Sequence, residues 1–146
     1  MNTQDVDIRT LLPQQPPMVM VDRLISADEK SATTSLMIRE DNIFVTAGRL
    51  NAYALIEVMA QTAAAQLGYE DKHLRGHHGV RIGYIGSIKR MHVDDVPKTG
   101  EILTTRMEVQ EDFMNMKLVT VESFVNDRRI ATAELTIAVS EDRVTV

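Results

Sequence analysis

The sequence contains no cysteine, so disulfide bonds and thiol chemistry are excluded. Its first residues also lack a positively charged segment followed by an apolar stretch and a cleavage-like site, which is the pattern of a secretory signal. A chain with neither feature is expected in a reducing compartment. These absences predict a cytoplasmic protein.

The sequence also lacks a cluster of basic residues. Its net charge is -5 and its lysines and arginines are scattered, which argues against nucleic acid as a partner and against a polybasic membrane anchor. The longest apolar run has about 17 residues and is interrupted by Glu57, Gln61 and Gln66, whereas a membrane span needs roughly 20 apolar residues. No membrane span is predicted, and small molecules or proteins are the expected partners.

What the sequence does contain fits a single domain. Its 146 residues are 44% hydrophobic and 25% charged, which is typical of one compact globular domain over residues 1–146. Residues 5–12 predict a short helical turn that the following prolines end. The apolar residues 18–25 and the alternating residues 32–38 predict two strands, joined by a hairpin through residues 27–31.

The second half of the sequence predicts four further strands. In the last of them, residues 131–137 alternate between apolar and polar side chains, as in an antiparallel strand with one buried face. Gaps rich in turn-forming residues at 97–100, 112–115 and 126–127 separate the strands, and the last two gaps suit hairpins. The predicted strands are residues 81–93, 102–111, 116–125 and 129–139.

Between the two sets of strands lies a predicted helix, residues 50–69, which carries one charged side chain, Glu57. A helix that is apolar nearly all round is normally buried, so a carboxylate within it loses hydration and must be compensated or used. Gly68 is predicted to end the helix, and residues 70–79 are predicted to form a polar loop. As the only long apolar element, the helix is expected to cover one face of an antiparallel sheet.

This α+β arrangement, a sheet wrapped around one long buried helix, resembles the hotdog fold, and two local strings indicate a family. The string L-L-P-Q-Q-P-P-M-V-M-V-D-R-L, residues 11–24, resembles the opening motif of 3-hydroxyacyl-[acyl-carrier-protein] dehydratases. In that motif, Leu-Pro-His leads to a proline and then to an apolar run that ends in Val-Asp-Arg. The string A-L-I-E-V-M-A-Q-T-A-A, residues 54–64, is similar to the central-helix motif of the same family, in which Gln follows Glu after four residues.

A third likeness, Y-I-G-S-I-K-R at residues 84–90, is to the strand that follows the helix in this family. Together the three strings extend the resemblance over residues 11–139. Within the family, the resemblance is to the small predicted dehydratases of aryl-polyene type pathways.

The resemblance implies a mechanism. In the family, a histidine removes the proton next to the thioester carbonyl, and a carboxylic acid on the helix protonates the departing 3-hydroxyl. Glu57 matches that acid, since a carboxyl among apolar groups resists ionisation, as a general acid requires. Gln61 lies one turn further along the same face and is expected to orient the Glu57 carboxyl by hydrogen bonding.

The start of the helix is implied to bind the thioester oxygen. Asn51 is a suitable N-cap, and the N–H groups of Ala52 and Tyr53 lie where the helix dipole favours developing negative charge. The family commonly has glycine where Ala52 stands. Gln61, Ala52 and Tyr53 are therefore the predicted substrate-binding residues.

The sequence departs from the family at Gln14, which stands where the family has its catalytic histidine. A carboxamide does not titrate near neutral pH and cannot act as a general base, although it still donates and accepts hydrogen bonds. Because general acid-base catalysis contributes about 10²- to 10⁴-fold per group, a slow dehydratase or none is expected unless His73, His77, His78 or His92 substitutes. With Glu57, Gln14 is a predicted catalytic position, and its alternative role is that of a turn residue between prolines.

Three functions therefore stay open. The first is a 3-hydroxyacyl-thioester dehydratase of fatty-acid or polyene biosynthesis, with its substrate on acyl carrier protein or coenzyme A. The second is a hotdog thioesterase that uses Glu57 as base or nucleophile. The third is a catalytically silent subunit that binds an acyl chain or carrier protein, or pairs with an active dehydratase, with Glu57 as a buried and satisfied carboxyl.

The resemblance also bears on assembly and cofactors. Hotdog domains usually pair, so a homodimer or a larger hotdog assembly is expected. No metal and no cofactor is predicted, because the loop histidines have no compact pattern of Asp, Glu or Cys around them.

Overall fold

The computed structural model describes residues 3–146, in which the predicted antiparallel sheet and its one long helix are both present. Short 3₁₀ turns at Thr3–Asp5 and Ile8–Thr10 precede the first strand. The main elements are β1 (Arg23–Ala27), β2 (Ser31–Met37), β3 (Val45–Thr46), β4 (Arg49–Leu50), α1 (Ala52–Tyr69), β5 (Val80–Val93), β6 (Ile102–Phe113), β7 (Met116–Val125) and β8 (Arg128–Val144).

Six of the strands form one antiparallel sheet in the order β1-β2-β6-β7-β8-β5, while β3 and β4 pair with each other. The helix α1 packs against β1, β2, β5, β6 and β7. Alternate residues of β8 are buried as predicted, and with the apolar side chains of α1 they form the core. The architecture confirms the predicted hotdog arrangement.

The first strand begins later than predicted. Residues 18–25 were expected to be extended, but β1 begins at Arg23. The reason is that the N–H of Met20 and the carbonyl of Met18 are bonded to the side chain of Gln61 on the helix rather than to a neighbouring strand. Hydrogen bonds to Gln61 therefore hold the segment before β1 against the helix.

The prediction that Gly68 ends the helix is wrong. Gly68 lies inside α1, and a Cβ atom at this position would come within 2.4 Å of the Leu11 carbonyl oxygen. Glycine is needed here because the backbone of Leu11 passes so close, not because the chain turns. The predicted polar loop also begins differently, as a π-helical turn, Glu70–Leu74, in which Glu70 and Asp71 are buried.

The remaining turns agree more closely with the sequence. Asn126 and Asp127 have φ angles of 50° and 65°, which is the left-handed geometry that a two-residue hairpin favours. The structure also identifies the two edges of the sheet, β1 and β5. The edge strand β5 exposes large apolar side chains, among them Tyr84 and Ile88.

Candidate active site

Glu57 lies on the second turn of α1 and is partly exposed, which corrects the expectation of a fully buried carboxyl. Ala60 and Ala64 follow Glu57 after three and seven residues, share its side of the helix and are also partly exposed. Within residues 3–146, no cation forms an ion pair with Glu57. The Glu57 carboxyl therefore lies where solvent or a ligand can reach it.

The side chain of Gln61 is fully buried and forms a hydrogen bond with the Glu57 carboxyl. Its Nε2 donates to Glu57 Oε1 over 2.8 Å and to the Met18 carbonyl over 2.7 Å, while its Oε1 accepts from the Met20 N–H over 2.6 Å. The Met20 N–H can only donate, so the amide has one possible orientation. One residue thus joins the two motifs that the sequence singled out.

At the start of the helix, the structure separates the two predicted N–H donors. Asn51 caps the helix, because its Oδ1 accepts from the Tyr53 N–H over 2.9 Å. The Tyr53 N–H is therefore engaged by the cap. The Ala52 N–H has no hydrogen-bond partner among residues 3–146, and Ala52 is exposed at the start of the helix. Of the two donors, Ala52 is the one left for a ligand.

Gln14 is half-buried in the segment between the turn Ile8–Thr10 and the strand β1. Its Oε1 is shielded from solvent and accepts no hydrogen bond from any described residue. No hydrogen bond joins Gln14 to Glu57 within the part of the chain that the structure covers. A buried carbonyl oxygen without a donor is energetically unfavourable, by about 1–3 kcal/mol.

The four histidines do not complete the site. All four histidines are exposed, and His73 also stacks on the ring of Tyr69, with ring centroids 5.2 Å apart. None of them hydrogen-bonds to Glu57. Between residues 3 and 146, no group of three or more His, Cys, Asp or Glu side chains is placed to hold a metal ion.

An apolar slot begins one turn beyond Glu57 and runs between α1 and the sheet. Its volume is about 20 Å³, and three of the five helix residues that line it are alanines. Two polar side chains, Gln66 and Lys117, lie among its walls. The residues that line it are Ala60, Ala63, Ala64, Gln66, Leu67, Gly83, Ile85, Met107, Lys117, Val119, Ile137 and Val139.

A buried ionic cluster, which the sequence reasoning missed, follows the end of α1. Glu70 contacts Arg81 at 3.2 Å and Lys117 at 3.4 Å, and Asp71 contacts Arg81 at 3.0 Å and Arg143 at 3.5 Å. The cations come from three different strands, so only the folded chain brings them together. No local sequence pattern in residues 70–79 predicts this ionic cluster.

The electrostatics of the cluster favour charged side chains. Burial raises the pKa of Asp71, but hydrogen bonds from Arg81 and the charges of Arg81 and Arg143 outweigh it, so the pKa of Asp71 lies below its ordinary value. Burial opposes the charge of Arg81 as well, but its bonds and charge interactions with Asp71 and Glu70 raise its pKa. The cluster is thus a structural feature rather than a source of protons.

None of the helices in residues 3–146 combines the length and the apolar character that a bilayer crossing requires.

Residues 6–145 match the ApeP-like family, described as ApeP dehydratase. The 3-hydroxyacyl-[acyl-carrier-protein] dehydratase FabZ of Levilactobacillus brevis is 25% identical over 146 residues, which cover 94% of this chain and 95% of that protein.

Solved structures with the same fold include two of particular interest. A chain of the dehydratase heterocomplex ApeI:P from Xenorhabdus doucetiae has a TM-score of 0.85 at 17% identity, covering 94% of this chain and 93% of its own. A hypothetical thioesterase with coenzyme A from Streptococcus pneumoniae has a TM-score of 0.63 at 11% identity, covering 83% and 87%. At these identities the likeness shows the fold alone.

Proposed function

Because the chain belongs to the ApeP-like dehydratase family, we propose that it acts on 3-hydroxyacyl thioesters, carried by acyl carrier protein or coenzyme A, in fatty-acid or polyene biosynthesis. Dehydration of such a thioester removes a proton from C2 and a hydroxyl from C3, and the hydroxyl leaves as water once it is protonated. The reaction therefore needs an acid near C3 and a base near C2. FabZ, whose name gives this activity, supports the substrate class.

The observation that carries the proposal is the hydrogen bond between Gln61 and Glu57. It holds one oxygen of the carboxyl in place and leaves the other for the 3-hydroxyl of the substrate. The partner is a neutral amide, and no cation among residues 3–146 forms an ion pair with Glu57. Glu57 is therefore the proposed acid, and Gln61 is the residue that positions it.

The thioester carbonyl is proposed to lie at the start of α1. The Ala52 N–H has no partner among the described residues, and the dipole of an 18-residue helix favours negative charge there. The Tyr53 N–H already donates to Asn51, so Tyr53 would contribute only if the cap opened on binding.

Gln14 is proposed to replace the histidine of the family, a proposal supported by the resemblance of residues 11–24 to the family's opening motif. Its amide cannot take the C2 proton, but its buried Oε1 has no donor and is suited to accept a hydrogen bond from the substrate. On this basis Gln14 orients the substrate, and any dehydration by this chain alone is slow.

Two features favour a second function: position 14 holds a glutamine, which cannot act as a base, and the edge strand β5 has one unpaired side. The chain would then be a catalytically silent subunit that pairs with an active dehydratase, or with a second copy of itself. The unpaired side of β5 and its exposed Tyr84 and Ile88 offer a place for another chain. The ApeI:P structure, a dehydratase heterocomplex by its description, supports this assembly. The cysteine-free composition supports a cytoplasmic location in either case.

The test is incubation with a 3-hydroxyacyl carrier-protein thioester, with enoyl product followed by mass spectrometry. We expect Gln14→His to raise dehydration by about 10²-fold or more, because it restores a titratable base. Gln15→His is the matched control, since the same change one residue away should give no gain. A folded Gln14→His variant without any gain would contradict the assignment of Gln14 to the position of the base.

The same assay separates the other functions. Release of free thiol without enoyl product would indicate a thioesterase. Binding of acyl carrier protein without turnover would indicate the silent subunit, and mixing with an active dehydratase followed by size measurement would then show whether the two chains pair.

A further inference from the structure

The face of the sheet that points away from α1 carries a row of apolar side chains at one end. The odd-numbered residues of β7, and those of β8 between positions 131 and 139, are buried on the side of α1, so the even-numbered residues face outward. The pairing register places Met116 beside both Phe113 on β6 and Ala138 on β8, and it places Ala138 beside Tyr84 on β5. These four side chains, the apolar row, cross four neighbouring strands.

Most of the apolar row is exposed. The exposed fractions are 71% for Phe113, 44% for Met116 and 60% for Tyr84, while Ala138 is half-buried. Single exposed apolar residues are common in soluble proteins, but several neighbouring ones indicate an interaction site. The outward face of an antiparallel sheet is normally polar. The apolar row is therefore a candidate contact surface.

The hairpin turn beside the apolar row presents a further apolar side chain. Met114 and Asn115 form the turn between β6 and β7, and Met114 is 83% exposed with a φ angle of 57°. This left-handed backbone favours glycine, asparagine or aspartate, so methionine adopts it at a cost. Asn115 holds the turn against β8, because its carbonyl accepts from the Val139 N–H over 2.7 Å and its Nδ2 donates to Glu141 Oε1 over 3.2 Å. A contact between the Met114 side chain and another molecule would offset the backbone cost.

A groove of about 390 Å³ lies beside the apolar row and has a charged side chain at each side, Lys89 on β5 and Glu111 on β6. Because β7 and β8 separate them, their backbones are about 14 Å apart. Neither side chain forms an ion pair within residues 3–146. Glu134, which is opposite Lys89 in the register, is bonded to Arg90 at 2.6 Å. Both charges at the groove are thus left for a partner.

The two opposite charges favour one kind of partner. A lipid surface would take up the apolar row, but it offers no fixed partner for either charge. A second copy of this chain carries a complementary surface already. A two-fold axis in the plane of contact, at right angles to the line between Lys89 and Glu111, brings the two apolar rows together. The same rotation places Lys89 of each copy opposite Glu111 of the other.

We propose that two copies of this chain associate through the apolar row, with two reciprocal ion pairs between Lys89 and Glu111. The contact uses the outward face of the sheet, so it is separate from any pairing along the edge of β5. It therefore doubles whatever unit that edge forms. The inference does not depend on the proposed dehydratase activity.

Sedimentation equilibrium of the full chain over a range of concentrations tests the contact. We expect Lys89→Glu and Glu111→Lys each to weaken the doubling at least about tenfold, because each variant places like charges opposite each other twice. The variant with both changes restores opposite charges and should associate within about threefold of the wild-type chain. Lys98→Glu is the matched control, since Lys98 is exposed near the other end of β6 and the net charge changes equally.

Two outcomes of the charge exchange would overturn the inference. One is a double variant that associates as weakly as the single variants. The other is a wild-type chain that has the same mass as Lys89→Glu at every concentration.

Apolar variants locate the contact on the row. Phe113→Thr should weaken association at least about tenfold, because it removes exposed apolar area from the contact. Ile102→Thr is the matched control, since Ile102 is an exposed residue at the other end of β6. Met114→Gly should also weaken association without lowering the midpoint of urea unfolding, because glycine adopts the left-handed backbone freely. Equal association of Phe113→Thr and Ile102→Thr would place the contact elsewhere and overturn the assignment.

Vesicles of phosphatidylcholine test a lipid surface as the alternative occupant. We expect no binding of the wild-type chain. Binding that is lost in Phe113→Thr, together with a constant mass in sedimentation, would assign the apolar row to a membrane and overturn the inference.

Discussion

The carboxyl groups near the two ends of α1 differ in their burial and in their bonding partners. Near its start, Glu57 is partly exposed and is held by the neutral amide of Gln61. Just beyond its end, Glu70 and Asp71 are buried and each contacts two or more cations. A paired cation stabilises the ionised carboxylate. The helix thus separates a carboxyl without a cationic partner from carboxyls whose ion pairs join three strands of the sheet.

The largest effect is expected at the ionic cluster. Arg81→Met should lower the free energy of unfolding by about 3–5 kcal/mol, because it leaves the buried carboxylates of Glu70 and Asp71 without their shared partner. Urea unfolding at pH 7 measures the loss. Arg128→Met is the control, since Arg128 pairs with Asp95 at an exposed site and should cost less than about 1 kcal/mol. Similar losses of unfolding free energy in the two variants would contradict the expected difference between the buried cluster and an exposed ion pair.

A smaller loss is expected at the residue that holds Glu57. Gln61→Met removes the hydrogen bonds to the Met20 N–H and the Met18 carbonyl, so unfolding free energy should fall by about 1–3 kcal/mol. The rate of any dehydration should fall as well, because no side chain then holds the Glu57 carboxyl in position. Urea unfolding and the enoyl assay measure the two effects. If activity survived unchanged in a folded variant, Gln61 would have no part in positioning the acid.

The dependence of stability on pH tests the structural role of the buried carboxyls. The pKa of Asp71 is lower in the folded chain than its ordinary value, so its contribution is complete above about pH 4–5 and is lost as the pH falls through the folded value. Stability should therefore decrease with acidification below about pH 4. Urea unfolding at several pH values should show a shallower decrease in Asp71→Asn. An identical decrease in both proteins would argue against the role of Asp71.

The smallest effect on stability is expected at Glu57. Glu57→Gln should change the free energy of unfolding by less than about 0.5 kcal/mol, because an amide oxygen at this position still accepts from Gln61. Enoyl formation should nevertheless fall about 10²- to 10⁴-fold. A stability loss as large as that of Arg81→Met would mean that Glu57 is a structural carboxyl, like Glu70 and Asp71.

Local patterns predicted most of the fold. The alternation in residues 131–137 and the apolar run of residues 50–69 each depend on neighbours in sequence, and both gave the right element. The family motifs predicted the pairing of Glu57 with Gln61, because residues four apart on a helix face each other. These features are local, so one sequence was enough to predict them.

Features that depend on distant parts of the chain were missed. Gly68 was interpreted as a helix stop, but the cause of the glycine is the backbone of Leu11, 57 residues earlier. The burial of Asp71 depends on Arg143, which only the folded sheet brings near. The partial exposure of Glu57 depends on which face of the helix the sheet covers. No periodicity in the sequence encodes such long-range contacts.

The helix holds the segment before β1 at two points, Gly68 against Leu11 and Gln61 against Met18. These points are about 10 Å apart along the helix axis, whereas the chain from Leu11 to Met18 can extend to roughly 23 Å. The intervening residues, which include Gln14, are therefore not fully extended. Leu12 is fully buried in the core, and both attachment points lie outside residues 13–17, so these five residues can be exchanged for those of a relative while the attachments to the helix stay in place.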